Sequence, residues 1–415
     1  MVFVSGSLAW FLSQLTRSRQ PAVGIGVVVI LLLLRVGPMV AQAPHENLSG
    51  EKRSFELTPA TLLDAAIKGG DYLLRRQGPG GKFPYLYDAQ EDRDSDQYNL
   101  VRHAGTTYSL VLLYETTQDV RYLQAARRGI DLLLANTRKV SPPDASAEFE
   151  CVVTHGGTVG NLGGTALGVL ALLEYATASG DLSLRNKAGE LGRFLLHQQE
   201  VDGHFRSRYI HDGTEESDFE SLYYPGESVL ALVRLYQSDK NPAWLAASEK
   251  GASWLIKVRD ADLPIPQLPH DHWLLMALNE IYAITRKVEY YNQGMRIAAA
   301  IQLDQRKNPQ PTEWYGSFGI PPRSAPAATR CEGLVAAYYL SVEGGSPEVE
   351  IVEALSSAIE FVLRCQVTQE QAASLPSPER ASGGFRESLE GWRIRMDFVQ
   401  HAICALLGLR EILMD

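Results

Sequence analysis

The sequence predicts an all-α protein in which six helical hairpins close into a ring, with inner and outer layers of helices. Three observations carry this prediction. Apolar residues recur at helical spacing along nearly the whole chain after Ser54, whereas strand-like alternation is scarce. Segments with a polar face, such as NKAGELGRFLLHQQ, alternate with segments apolar around most of their circumference, such as ALGVLALLEYA and AICALLGLREIL. The first kind suits an outer layer and the second an inner, buried one. Finally, a polar cluster recurs at the start of each inner segment, so a closed ring would gather six clusters at one funnel mouth. A length of 415 residues alone would suggest two or three domains, but an internal repeat packs as one continuous body.

Taken in order, residues 1–43 read as a signal peptide or membrane anchor. Arg17 and Arg19 precede an apolar run over 21–34, and Ala41-Gln42-Ala43 offers a small-residue cleavage pattern. Pro44 hinders cleavage there, which keeps an uncleaved anchor open, although the strictly apolar stretch is short for a span. Either way the body is expected to be exported, to the periplasm or another extracytoplasmic space. Residues 44–57 form a linker, and 58–415 a single domain. Its expected helix pairs are 58–77 with 98–117, 120–136 with 164–178, 182–199 with 226–237, 242–258 with 271–285, 288–304 with 330–342, and 347–366 with 397–413.

Connections between pairs are tight, as at Gln118-Asp119, and those within pairs are longer and rich in Gly, Pro and aromatic residues. Short connections make neighbours antiparallel, and long loops on one rim are where function tends to sit. Three outer helices end alike, with Gln77, Gln198 or Gln366, then a Gly-containing turn, then Phe83, Phe205 or Phe385. The Gly suits a helix C-terminus, and the Gln would bond terminal backbone groups, clamping the layers together.

Composition is that of an ordinary globular protein, with 45% hydrophobic and 21% charged residues. A net charge of −10 argues against nucleic acid as a partner. Cys151, Cys331, Cys365 and Cys404 are too few for a disulfide scaffold and lack zinc-site spacing. Cys365 and Cys404 fall in one hairpin, where a bridge or two buried thiols would both fit.

The densest polar cluster is Tyr98-Asn99-Leu100-Val101-Arg102-His103. Tyr98, Asn99 and Arg102 could share a helix face. Arg102 offers a fork of donors for a carboxylate, and His103 can move a proton near neutral pH. An Arg102–carboxylate pair that locks the ring is the alternative. Tyr224 precedes and Glu227 follows the Pro225-Gly226 turn, and an aromatic beside a carboxylate suits sugars. Glu227 is the leading general acid or base, and Asp271, Glu332 and Asp397 are candidate partners, since glycosidic cleavage usually needs two carboxyl groups. Asp271 and Asp397 could equally be helix caps or first-turn acids. His155, His272, Trp273, Arg330 and His401 complete the substrate-binding candidates. The run His270-Asp271-His272-Trp273 is not read as a metal site, because adjacent helical residues diverge by about 100°; Trp273 is expected as an aromatic platform with Asp271 facing the funnel. No cofactor is expected.

The hairpin pattern and the Gln-and-aromatic repeat resemble the α/α-toroid superfamily: the six-hairpin glycosidases and, as structural relatives, the terpene cyclase and prenyltransferase toroids. The resemblance implies an (α/α)6 toroid and an exported carbohydrate-active enzyme, of glycoside hydrolase, polysaccharide lyase or uronate epimerase type. Its partner would be an oligo- or polysaccharide, anionic glycans included, with a membrane contact through the N-terminal segment if that is uncleaved. In a hydrolase, Glu227 would be the acid, with Asp271 or Asp397 as base or nucleophile. In a lyase or epimerase, Arg102 would neutralise a uronate, and Tyr98 or His103 would take its C5 proton. Two other readings are a non-catalytic, membrane-tethered glycan- or peptide-binding toroid and a terpene-cyclase-like enzyme. The latter lacks support from a DxDD motif, and Arg330-Cys331-Glu332 lacks the Asp that would complete a prenyltransferase zinc set.

Overall fold

The alternation of half-polar and wholly apolar segments sorts the helices into two concentric layers. In the computed structural model, which describes residues 55–141, 148–210 and 218–415 and the backbone alone of His155, twelve long helices follow one another. They are α1 (Pro59–Arg76), α2 (Leu100–Thr117), α3 (Val120–Leu134), α4 (Leu162–Ser179), α5 (Ser183–Gln198) and α6 (Tyr224–Asp239). The second half comprises α7 (Pro242–Trp254), α8 (His272–Thr285), α9 (Val288–Asp304), α10 (Ser324–Glu343), α11 (Val349–Arg364) and α12 (Met396–Ile412). The expected leader or anchor and most of the linker lie outside the described residues.

Even-numbered helices form the inner ring, each packing on the next, and α12 packs back on α2 to close it. In α4, every residue from Leu162 to Ala176 is buried, which explains why this helix is apolar enough to resemble a membrane span while lying in the core. Each outer helix packs most closely on the inner helix that precedes it across a tight turn. The hairpins are therefore inner-then-outer, and α1 finds its inner partner in α12, at the other end of the chain. Tight turns at Gln118, Lys240 and Arg286 adopt left-handed backbone with φ near 60°.

The Gln clamp recurs four times, where the sequence showed three. Gln77 Nε2 donates to Gly81 O at 3.2 Å and to Ala125 O on α3 at 2.9 Å. Gln199 does the same with Gly203 and Ala247, Gln305 with Gly316 and Ala354, and Gln366 with Gly383 and Ala65. In the second copy the clamp is Gln199; the expected Gln198 instead donates to Arg206 O and Arg208 O. Each turn glycine has positive φ, and a Cβ there would strike a backbone carbonyl of the next outer helix, at 1.9 Å from Ser357 O for Gly316. Two residues later Phe83, Phe205, Phe318 and Phe385 are buried beneath the turn. The Gln366 bond joins α11 to α1 and so belongs to the closure of the ring.

Short strands that the sequence did not announce tie the long loops together. β1 (Leu86–Asp88) pairs with β2 (Arg93–Asp94) and with β7 (Arg393–Arg395), all antiparallel, joining the loops that lead into α2 and α12. A second sheet has the order β3 (Thr137–Val140), β4 (Phe149–Thr154), β5 (Val159–Asn161), β6 (Arg208–Ile210), joining the loops before α4 and α6. All four cysteines are free thiols, so Cys365 and Cys404 are not bridged.

Candidate active site

Inner-helix N-termini meet at one rim, and two linked groups of side chains gather there. The first is made of imidazoles. His272, the first residue of α8, faces His401 of α12 with ring centroids 5.5 Å apart. His401 Nδ1 lies 2.6 Å from Glu332 Oε1 on α10. An Nδ1–H donating to that carboxylate leaves the other nitrogen of His401 as a lone pair. His272 is buried, and neither of its ring nitrogens has a hydrogen-bond partner among the described residues. Burial first, then His401 and Arg330, hold its pKa well below the ordinary imidazole range, so it is neutral at neutral pH. Burial likewise raises Glu332, against the pull of His401. The half-exposed ring of Tyr223 stands 5.9 Å from His272.

The second group is built around Glu227, in the first turn of α6. It is buried, and its Oε2 has no partner among the described residues. Burial pushes its pKa up to about 8, with Asp271 adding to the rise and Arg102 opposing it. Gly163 makes this possible, since a Cβ there would lie 2.3 Å from the Tyr224 ring and 2.5 Å from Glu227 Oε2. The helix bearing Gly163 therefore approaches Glu227 only because that position has no side chain. Arg102 Nε donates to Asp397 Oδ2 at 2.9 Å, and Arg395 donates to both Asp397 oxygens at 2.6 and 2.9 Å. Burial alone would raise Asp397, but the two arginines overcome it and hold the carboxylate below its usual range. The Arg102–Asp397 pair joins the first and last inner helices, so it locks the ring, as the second reading of Arg102 had it.

The structure thus brings Glu227, Tyr224, Arg102, Asp397, His272, Glu332 and His401 to the rim. Other expected residues are engaged elsewhere. Asp271 is wholly buried, caps α8 through the Leu274 N–H at 3.1 Å, and takes an ion pair from Arg259 at 2.9 Å. It is thus committed to the cap and to Arg259 while still raising the pKa of Glu227, and Trp273 is buried beside His272 and His401 instead of forming an open platform. His103 accepts from the Tyr98 hydroxyl at 2.7 Å through Nδ1 and donates to Gly129 O at 2.8 Å through Nε2, and burial lowers its pKa to about 4. With both nitrogens used, His103 and Tyr98 fasten α2 to α3 and offer nothing to a substrate. Asn99 caps α2 through the Arg102 N–H. Arg330 donates to His270 Nδ1 at 2.8 Å and covers the Phe318 ring, at the edge of the rim. The side chain of His155 lies outside the described residues. Sequence reasoning missed Arg259, which reaches Asp271 from the end of an outer helix, and Tyr85, whose hydroxyl accepts from Arg102 at 3.3 Å; neither sits in a motif.

His272, Glu332 and His401 are the described residues that could hold a metal, with ligand atoms within 4.8 Å of one another. That spread exceeds the roughly 3.3 Å separation of tetrahedral ligands at bond lengths near 2.0 Å. An ion would also have to break the His401–Glu332 hydrogen bond.

No protein-family model matches the chain, and no curated sequence matches it. Solved structures do. A D-mannose isomerase superposes with TM-score 0.60 at 14% identity, covering 86% of this chain and 100% of that one. Cellobiose 2-epimerase from Bacillus thermoamylovorans gives 0.62 at 12% identity, covering 84% and 99%. The α-1,6-mannanase of Salegentibacter sp. was compared as an inactive variant, substituted at two adjacent aspartates and bound to α-1,6-mannotriose; it gives 0.58 at 12% identity, covering 85% and 99%. Identities this low establish likeness of fold, and the chain shares the (α/α)6 toroid fold of these carbohydrate-active proteins.

Proposed function

We propose that the protein is a carbohydrate-active enzyme, and within that class a sugar isomerase or epimerase that moves a proton at the carbon beside a sugar carbonyl. The observation that carries this is the opposed pair His272 and His401, with His401 held on a buried carboxylate. His401 takes the proton from carbon, and Glu332 stabilises the imidazolium that forms. Glu227 keeps its proton at neutral pH and donates a hydrogen bond to the sugar oxygen on which charge develops. Return of the proton by His401 to the neighbouring carbon, with Glu227 giving its proton to the first carbonyl oxygen and taking one back from the adjacent hydroxyl, exchanges aldose and ketose. Return from the opposite face by His272 would invert a centre, but the weak proton affinity of His272 favours the first outcome.

Hydrolysis has less support. Asp271 is committed to a cap and to Arg259, Asp397 to two arginines, and Glu332 to His401, so Glu227 has no free carboxylate partner at the rim among the described residues. The chain also contains no Asp-Asp pair of the kind replaced in the inactive mannanase. Isomerase and epimerase structures among the matches fit the same reading. The basic stretch, apolar run and small-residue site of residues 1–43 support export as part of the proposal.

The test is turnover in D2O. The protein is incubated with mannose, glucose, cellobiose and α-1,6-mannobiose, and NMR follows deuterium entering beside the carbonyl. Exchange that disappears in His401→Gln supports the assignment. New reducing ends without exchange would make the protein a hydrolase, and binding without either would make it a glycan-binding toroid.

A further inference from the structure

Outside the mouth, between the α9–α10 and α11–α12 loops, lie two adjoining cavities of about 250 and 490 Å3 that share Arg323, Glu387 and Arg393 in their walls. We propose that this cleft is a subsite for an anionic sugar residue, a uronate or a sulfated unit, carried by the glycan whose reacting end occupies the mouth. The inference rests on the sugar-active reading of that mouth.

Charge is the first argument. The inner cavity is lined by Arg323, Arg393 and Arg395 against one acid, Glu387, and the outer cavity adds a second acid, Glu390. Arg393 is neutralised by Glu387 through two hydrogen bonds of 2.9 and 2.8 Å. Arg395 shares Asp397 with Arg102, so that group retains a positive surplus. Arg323 is exposed and makes no side-chain hydrogen bond or ion pair among the described residues. It is an uncommitted fork of donors, a shape that matches two oxygens of a carboxylate or sulfate.

The helix behind it is the second argument. α10 is 20 residues long, its N-cap Arg323 gives no side-chain cap, and its first turn carries no acid. Its first turn reaches the inner cavity through Ala325 and Pro326. The positive end of the helix therefore faces the same space as Arg323, with the Ser324 N–H already donated to Glu387 O at 2.9 Å.

Position supplies the third argument. The cleft shares walls with the mouth: Arg395 bonds Asp397 at the ring lock, and the Pro326 carbonyl accepts from Arg330 at 3.0 Å. Phe398, with Arg395 stacked 4.4 Å from its ring centre, lines the inner cavity, and Trp314 lines the outer one. The partly exposed Trp314 ring suits the C–H face of a pyranose, while Arg323 takes the acid. The outer volume falls in the range of small-ligand pockets.

Calorimetric titration of the full chain with cellobiouronic acid, cellobiose sulfate and cellobiose tests this. At low salt an acidic disaccharide should bind about tenfold tighter than cellobiose, as expected for one charge-assisted fork. The preference should disappear in Arg323→Gln, shrink at high salt, and survive in His401→Gln. Which acid binds tighter identifies the anion as carboxylate or sulfate, and either supports the subsite. Equal affinity for acidic and neutral disaccharides, or a preference untouched by Arg323→Gln, would overturn it. Deuterium exchange without an acidic preference means that the subsite fails alone. An Arg323-dependent preference without exchange on any sugar means that the catalytic reading fails alone.

Discussion

Replacing Glu227 by Gln should abolish the fall in stability that this group causes as pH rises. Burial, with Asp271 beside it, moves the Glu227 pKa from its ordinary 4.5 to about 8. Between these values the folded chain holds a proton that the unfolded chain has lost, so stability falls as pH rises across the window and is level above it. At about 1.4 kcal/mol per pH unit, the interval from pH 5 to pH 8 corresponds to roughly 4 kcal/mol. Gln cannot ionise and removes this slope. At pH 5 the variant and the parent should unfold at similar urea concentrations. At pH 9 the variant should be the more stable, by an amount on the order of 4 kcal/mol. Urea denaturation of both proteins at each pH from 5 to 9, followed by tryptophan fluorescence, measures the gap. A gap that does not change with pH would mean that Glu227 is ionised in the fold at neutral pH. It would also remove Glu227 as the donor to the sugar oxygen.

Three further perturbations separate the parts of the molecule. Glu332→Gln should lower the exchange rate by about 10²- to 10³-fold and shift the pH–rate profile, because the His401 imidazolium loses its counter-charge; an unchanged profile would make Glu332 a packing residue. Gly316→Ala should destabilise the fold by more than about 2 kcal/mol, since a Cβ would lie 1.9 Å from Ser357 O, whereas Gly319→Ala, with positive φ but open space around it, should cost about 1 kcal/mol. Equal unfolding midpoints for the two variants would show that the clamp is not a tight contact. Treatment with EDTA should leave deuterium exchange unchanged; loss that zinc restores would make His272, Glu332 and His401 a metal centre.

The fold was legible because a 3.6-residue period sustained over long segments leaves little choice, and because burial on all sides separates an inner helix such as α4 from an amphipathic outer one. Pairing was less legible. Loop length drew attention to outer-then-inner pairs, while the shortest turns join inner to outer. Gln198-Gln199 presents two amides in succession, and only backbone direction decides that Gln199 clamps. The fourth clamp was hidden because Gly316-Ser317-Phe318 lacks the Gly-Gly-Phe string that marks the turn after Gln366. Strands of two to six residues are too short to declare an alternation. At the site, the clusters located the rim but not the facing atoms. One residue is about 100° of helix, which turns Asp271 into the wall and leaves His272 opposite His401. Glu332 and His401 meet from two helices 69 residues apart in sequence, a contact that no local pattern carries.

The docking of α12 on α1, with Gln366 reaching Ala65 across 301 residues of sequence, also sets a timetable for folding. Until α12 has been made and has docked, the ring lacks its closing member, and the flanks of α1, α2 and α10 that it covers have no partner. Contacts at such long sequence separation form late and slowly. A chain stopped before Met396 would therefore be a sticky arc with unsheltered edges, dependent on chaperones, in place of a smaller ring.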